Sequence, residues 1–240
     1  EPYHKQKSGD LEKFDYIVSN PPFKLDFSDY SADLESKENH DRFFAGVPKV
    51  PAIKQESMAI YLLFLQHIIF SLKDKGKAAV VVPTGFITAK SGIDKKIRQK
   101  LVDEKMLAGV VSMPSNIFAN TGASVSILFI DKTNTKDVVL IDASNLGTTL
   151  KEDKNQKTVL SFAEEDQIIN TFNVREAVDD FSVVVSYDEI AAKKYSLSAG
   201  QYFEVNINYS DISFTDFSNK IKKYADSLES MFKQSHELEN

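Results

Sequence analysis

The 240-residue sequence contains no cysteine. That absence rules out disulfides, fits a cytoplasmic protein, and removes both a four-cysteine zinc site and any thiol nucleophile. It also removes the thiolate attack on which methylation at carbon 5 of cytosine depends. An excess of positive charge is missing as well: 29 Lys and Arg stand against 35 Asp and Glu, for a formal net charge of −6. Free-standing nucleic-acid binders usually carry basic patches that neutralise phosphates, so any grip on DNA should lie mostly in another segment or subunit. Long apolar runs are lacking too. The greasiest stretch, Met58 to Leu72, is interrupted by Gln66, His67 and Ser71, and it falls short of the roughly 20 residues of a membrane helix. The first residues are polar and charged, unlike a signal peptide, and no Met precedes Glu1, which points to a trimmed chain. The nine glycines never form Gly-x-Gly; the closest two are Gly85 and Gly92.

What is present is the balance of a soluble globular protein, 42% hydrophobic and 27% charged, long enough for one large domain or a domain with an appendage. Tyr16-Ile17-Val18, stopped by Asn-Pro-Pro, reads as a buried strand. Residues 24 to 55 form a charge-rich connection with no strong periodicity, longer than ordinary loops and suited to a functional or partner-ordered segment. Met58 to Leu72 is apolar on nearly every face and predicts a buried helix. Strands are expected at 78–82, 107–113 and 125–130, with a helix over 93–105. The segment between the last two strands is too short for a helical crossover, so that pair should be antiparallel. The order gives an α/β fold with an open, mostly parallel sheet and one antiparallel strand. Further on, 138–142 and 183–185 read as short strands. Ser161 with Glu164, and Ser186 with Glu189, read as capping boxes that open helices. At the end Phe214, Phe217, Ile221, Tyr224, Leu228, Met231 and Leu238 make a heptad seam, with Ser235 in its one polar seat.

Asn20-Pro21-Pro22-Phe23 carries the most specific chemistry. The exocyclic amine of adenine is a poor nucleophile because its lone pair is delocalised into the ring. Two acceptors placed around it would orient its hydrogens and favour rehybridisation as the nitrogen attacks a methyl sulfonium. The Asn20 side-chain carbonyl offers one acceptor and the Pro21 main-chain carbonyl the other, on a backbone stiffened by consecutive prolines. Phe23 would stack on a base swung out of the duplex, worth about 1–3 kcal/mol. The plainer alternative makes the tetrad a strand terminator and Phe23 a core residue. Its place directly after an apolar strand, on the carboxyl edge where open α/β sheets bind ligands, favours catalysis.

Phe14-Asp15-x-Ile17-x-x-Asn20-Pro21-Pro22-Phe23 resembles the catalytic motif of S-adenosylmethionine-dependent amino-methyltransferases. More of the chain resembles the modification (methylase) subunit of type I restriction–modification enzymes, an N6-adenine DNA methyltransferase family. The matching stretches are Asp41-Arg42-Phe43 with Gly46, Phe64 to His67, Gly76 to Pro83, Ile97-Arg98-x-x-Leu101, Met113 to Gly122, Asp142-Ala143-Ser144 and Tyr195-x-Leu197. The resemblance implies the C-terminal part of a Rossmann-like methyltransferase sheet followed by a helical extension. Its parts would be a partial catalytic domain over 1–145, an α/β extension over 146–210 and a partner-docking helix over 211–240. It makes Asn20, Pro21 and Phe23 catalytic, with Asn20 also touching the cofactor. Pro22, Phe118, Thr121 and Gly122 would line the base pocket, although Phe118 also reads as a core residue. His67 reads as a structural histidine, and Asp41 and Arg42 either anchor the long loop to DNA or a partner or form a surface ion pair.

The implied cofactor is S-adenosylmethionine. The implied partners are DNA, a specificity subunit and a restriction subunit, with no membrane. The family carries a glycine-rich cofactor loop upstream of the tetrad, and this sequence has none. Half the sheet and a helical region would then precede Glu1, the strand before Asn20 would become a sheet edge, and the isolated chain would bind cofactor weakly and be inactive. The competing expectations are an amino-methyltransferase acting on cytosine N4 or another amine, and a non-catalytic assembly module that holds a specificity subunit.

Overall fold

The computed structural model describes residues 11–118, 124–152, 155–203 and 213–238. They fall into two units, one within residues 1–203 and one within residues 204–240. In the first, β1 (Phe14–Ser19) leads through a long connection containing the short helix α1 (Ser31–Leu34) to α2 (Tyr61–Ser71) and directly into β2 (Leu72–Pro83). Next come α3 (Gly85–Thr88), α4 (Gly92–Asp103), β3 (Leu107–Ser112), β4 (Val125–Asp131) and β5 (Val138–Asp142). A hairpin of β6 (Thr148–Glu152) and β7 (Asn155–Val159), α5 (Phe162–Val174), β8 (Ser182–Val185) and α6 (Tyr187–Ala192) complete the unit.

The six-stranded sheet has the order β1-β2-β4-β3-β5-β8. β1 and β2 are parallel, as are β3 and β5, while β4 runs antiparallel to both of its neighbours. The expected antiparallel pair is therefore present, with Val110 facing Leu128. The expected single reversed strand becomes two, because β8 pairs antiparallel with β5. This places part of the 146–210 segment inside the main sheet rather than only on it.

Strand alternation sends side chains to two cores. On one face Leu65 of α2, and Ile97 and Leu101 of α4, pack with Val80, Leu128 and Leu140, all fully buried. On the other, Val111, Val139 and Ile141 meet Phe172 of α5. Gly109 in β3 permits that second contact. A Cβ there would stand 2.5 Å from the Val139 carbonyl oxygen and 2.6 Å from the Phe172 ring. The helices follow local rules: the capping boxes Ser161/Glu164 and Ser186/Glu189 both form, at the starts of α5 and α6.

β1 corrects one expectation. Tyr16 and Val18 are 75% and 86% exposed, so this strand is not buried. It is the edge of the described sheet, as the resemblance implied, with β2 as its partner there, and Ile17 packs against the core.

The 24–55 connection is more ordered than its composition suggests. Phe27, Phe43, Met58 and Leu63 form a small core of their own against α2. Gln66, fully buried, explains two of the matching stretches at once. Its side-chain oxygen accepts from the Ala45 N–H at 2.8 Å, and its amide donates to the Gly46 carbonyl at 3.0 Å. Gly46, with φ of +104°, makes the turn that presents both groups. Gln66→Leu leaves a buried N–H and a carbonyl unpaired and should cost about 2–3 kcal/mol. Urea unfolding measures that cost, and limited proteolysis should cut within 24–55 first.

Arg42 makes no ion pair with Asp41 among the described contacts. Its guanidinium lies 5.9 Å from the ring centres of Phe43 and Phe70. His67 has Ser71 Oγ 3.4 Å from Nδ1, in keeping with a structural role.

Tyr202, just after the last turn of this unit, donates to the Ser196 carbonyl at 2.6 Å. Burial, helped by the nearby Glu189 charge, pushes its hydroxyl up to about 12. A raised folded value means that the neutral phenol is the stabilised form. This contribution should be complete below the unfolded value of about 10 and decline as pH rises from there through about 12. Urea midpoints that fall between pH 9.5 and 11.5 for wild type, but less for Tyr202→Phe, are the expected result.

In the second unit, α7 (Phe214–Leu238) is a 25-residue helix opened by Ser213, whose hydroxyl accepts from the Asp216 N–H at 3.1 Å. Its seam residues Phe214, Phe217, Ile221, Tyr224, Leu228 and Met231 are 52% to 84% exposed. Among the described helices, none is long and apolar enough to cross a membrane.

Candidate active site

β1, β2, β3 and β5 point the same way, so their carboxyl ends share one edge. Asn20 follows β1 immediately and is exposed, Pro21 is buried beneath it, and Pro22 is exposed. The two prolines stop the strand and turn the chain, which leaves the Asn20 amide presented beyond the edge rather than paired in the ladder. At the same edge β2 ends at Pro83 and is followed by Thr84, and β3 leads into Met113 to Phe118. The edge is laced together between them: Thr84 N–H donates to the Ser124 carbonyl at 3.0 Å, and Met113 N–H to the Val125 carbonyl at 2.9 Å.

Phe118 is partly buried, and Thr121 and Gly122 lie outside the described residues. Three strand spacings separate β1 from β3, about 14 Å at the usual interstrand distance. The tetrad and the Phe118 segment therefore share an edge without adjoining strands. The segment before Phe118 is braced from the side. Thr158 N–H in β7 donates to the Asn116 carbonyl at 2.9 Å, which ties the hairpin to this wall.

Phe23 turns inward. It is half-buried against the main core, and its ring stands edge-on to Tyr61 with centroids 6.2 Å apart and planes at 74°. Tyr61 in turn meets Phe86 edge-on at 6.3 Å. The Tyr61 hydroxyl donates to Asp94 Oδ1 at 2.5 Å, and burial, reinforced by the Asp94 carboxylate, holds that phenol far above its ordinary range. Behind Phe86 lies Arg98, 1% exposed, which donates to the carbonyls of Phe86, Ala89 and Tyr195. The ring of Phe23 thus has the core contacts that the plainer reading expects. Tyr61, Asp94 and Thr84 escaped the sequence reading. The available signal was Tyr61 itself, a hydroxyl-bearing aromatic at the head of a helix otherwise apolar on almost every face.

A family model described as "N-6 DNA Methylase" matches residues 1–227. The chain belongs to the N-6 DNA methylase family. It is 30% identical over 250 aligned positions to the type I restriction enzyme MjaIX methylase subunit of Methanocaldococcus jannaschii, covering 99% of this chain and 42% of that one. It is 29% identical to the MpnII methylase subunit of Mycoplasma pneumoniae, over 89% of this chain and 37% of that one. A crystal structure of the type I restriction-modification methyltransferase subunit from Streptococcus thermophilus superposes with a TM-score of 0.66 at 27% identity, covering 85% of this chain and 40% of that chain. This N-6 DNA methylase chain thus spans about two fifths of the length of these two relatives.

Proposed function

We propose that this chain is the base-handling part of an adenine-N6 DNA methyltransferase, the modification subunit of a type I restriction–modification system. The observation that carries the reading is Asn20-Pro21-Pro22-Phe23 at the carboxyl end of a sheet strand, with Asn20 exposed and Pro21 buried. The Asn20 side-chain oxygen and the Pro21 carbonyl accept the two amine hydrogens of a flipped-out adenine and turn its lone pair toward the methyl donor. Phe23 presents a ring beside the base, and Pro22 and Phe118 complete the pocket from either side of the edge.

S-adenosylmethionine supplies an electrophilic methyl group when bound. The described residues fit it only in part. Asn20 offers one polar contact, while the turns that follow β1 and β2, Pro21-Pro22 and Thr84-Gly85, include no glycine-rich loop. The reading therefore gives the rest of the donor site to another part of the enzyme, on the far side of the β1 edge. Calorimetry of the 240-residue chain should show no saturation by S-adenosylmethionine up to about 1 mM, where binding is worth only about 4 kcal/mol. Tight binding would overturn this division of the site. The complete enzyme should bind the cofactor and transfer methyl groups to duplex DNA, and failure of that transfer would sink the proposed reaction.

The partners on this reading are DNA, a specificity subunit and a restriction subunit, all in the cytoplasm. The exposed apolar seam of α7 supports a helix that packs against helices of the specificity subunit. The net charge of −6 fits a chain that leaves most phosphate contacts to its partners.

A further inference from the structure

We infer that Tyr61 is a positioning residue for the catalytic tetrad, its hydroxyl tied to Asp94 so that its ring fixes the place of Phe23. The inference rests on the adenine-methyltransferase reading and adds to it a support outside the motif. Phe23 follows a pair of prolines and belongs to no helix or strand. Neighbouring backbone alone leaves such a ring free to rotate, so its orientation must come from what it touches. The described aromatic contact is Tyr61, edge-on at 6.2 Å. Tyr61 begins α2, and Asp94 lies in the first turn of α4, so one hydrogen bond of 2.5 Å joins two helices behind the tetrad. Phe86 closes the far side of the Tyr61 ring at 6.3 Å, and Arg98 holds the backbone of Phe86. The hydroxyl is mostly buried and serves no purpose in packing that a phenylalanine would not serve. A bond from a buried hydroxyl to a carboxylate is stronger than a neutral one, and displacements of the order of 1 Å in a positioned group cost large factors in rate.

The test uses the complete methyltransferase with two duplexes of the target sequence found by mapping methylated sites, one with adenine at the target for methyl transfer and one with 2-aminopurine in its place for base flipping. Three variants are compared with wild type at a temperature where each retains native circular dichroism. Tyr61→Phe removes the hydroxyl and keeps the ring. Asp94→Ala removes the acceptor from the other helix and carries the test if Tyr61→Phe does not fold. Asp94→Asn keeps an acceptor oxygen. Tyr61→Phe and Asp94→Ala should each lower kcat by about tenfold, the loss expected for a misplaced reactive group, and should weaken the 2-aminopurine fluorescence rise with little change in DNA affinity. Asp94→Asn should restore most of both. The inference is overturned if Tyr61→Phe and Asp94→Ala stay within about twofold of wild type, or if Asp94→Asn is as damaging as Asp94→Ala. A wild-type enzyme that methylates no adenine would instead defeat the underlying reading.

Discussion

Replacing Asn20 with alanine in the complete enzyme is expected to lower the rate of methyl transfer by about 10²–10³-fold or more, the usual loss when one preorganised polar contact to a reacting centre is removed. The side chain lies beyond the end of β1 and is exposed. Its removal therefore opens no cavity, and the unfolding midpoint should stay within about 0.5 kcal/mol of wild type, as for most surface changes. On the proposed function DNA affinity should change little, because the lost interaction would act on the amine as it attacks rather than on the phosphates. Single-turnover transfer of a labelled methyl group, measured beside DNA binding on the same preparation, separates the two. A variant that kept near-normal transfer would reduce Asn20-Pro21-Pro22-Phe23 to a strand terminator.

Arg98→Met should be the most destabilising single change among the substitutions considered, by about 3–5 kcal/mol, since it removes a buried charged donor and strands its acceptors. Methionine refills much of the stem's volume, so packing loss is a minor part of the effect. The larger part comes from the carbonyls of Phe86, Ala89 and Tyr195, all satisfied by one guanidinium that is 1% exposed. Burial lowers the affinity of Arg98 for its proton, while Asp94 and Tyr61 oppose that. Arginine keeps its charge through such shifts, so the loss should not depend on pH between 6 and 9. Urea unfolding at both pH values measures it. A cost below about 1 kcal/mol would mean that water reaches those carbonyls once the side chain is gone.

The sequence was most legible where one local rule decided the structure. Ser161 with Glu164 and Ser186 with Glu189 state their capping boxes in four letters, and both helices begin there. Val138 to Asp142 is apolar and short, and it forms a strand with those same bounds. The irregular segment after Met113 leaves no room for a crossover helix, which is why β3 and β4 had to be antiparallel. Where the outcome depended on a neighbour, the letters were silent. Tyr16-Ile17-Val18 is as apolar as a central strand, and its exposure comes from the lack of a described strand beyond it, an edge position expected from the resemblance and not from those three letters. β6 and β7 are largely polar, and what identifies them is their pairing with each other and the bond from Thr158 to Asn116. The 24–55 connection lacks periodicity because its order is imposed from outside by Gln66 and the apolar face of α2. The tetrad's place at the end of a strand could be read directly, whereas Tyr61 and Asp94 are 33 positions apart and meet only in the fold.

The central claim is that the tetrad directs methylation to the exocyclic amine of adenine. Nucleoside mass spectrometry of DNA from cells that express the complete gene tests it most directly, with Asn20→Ala as the matched control. The predicted result is N6-methyladenine in the wild-type sample and its loss in the variant. N4-methylcytosine without N6-methyladenine, or N6-methyladenine that persists in the Asn20→Ala cells, would contradict it.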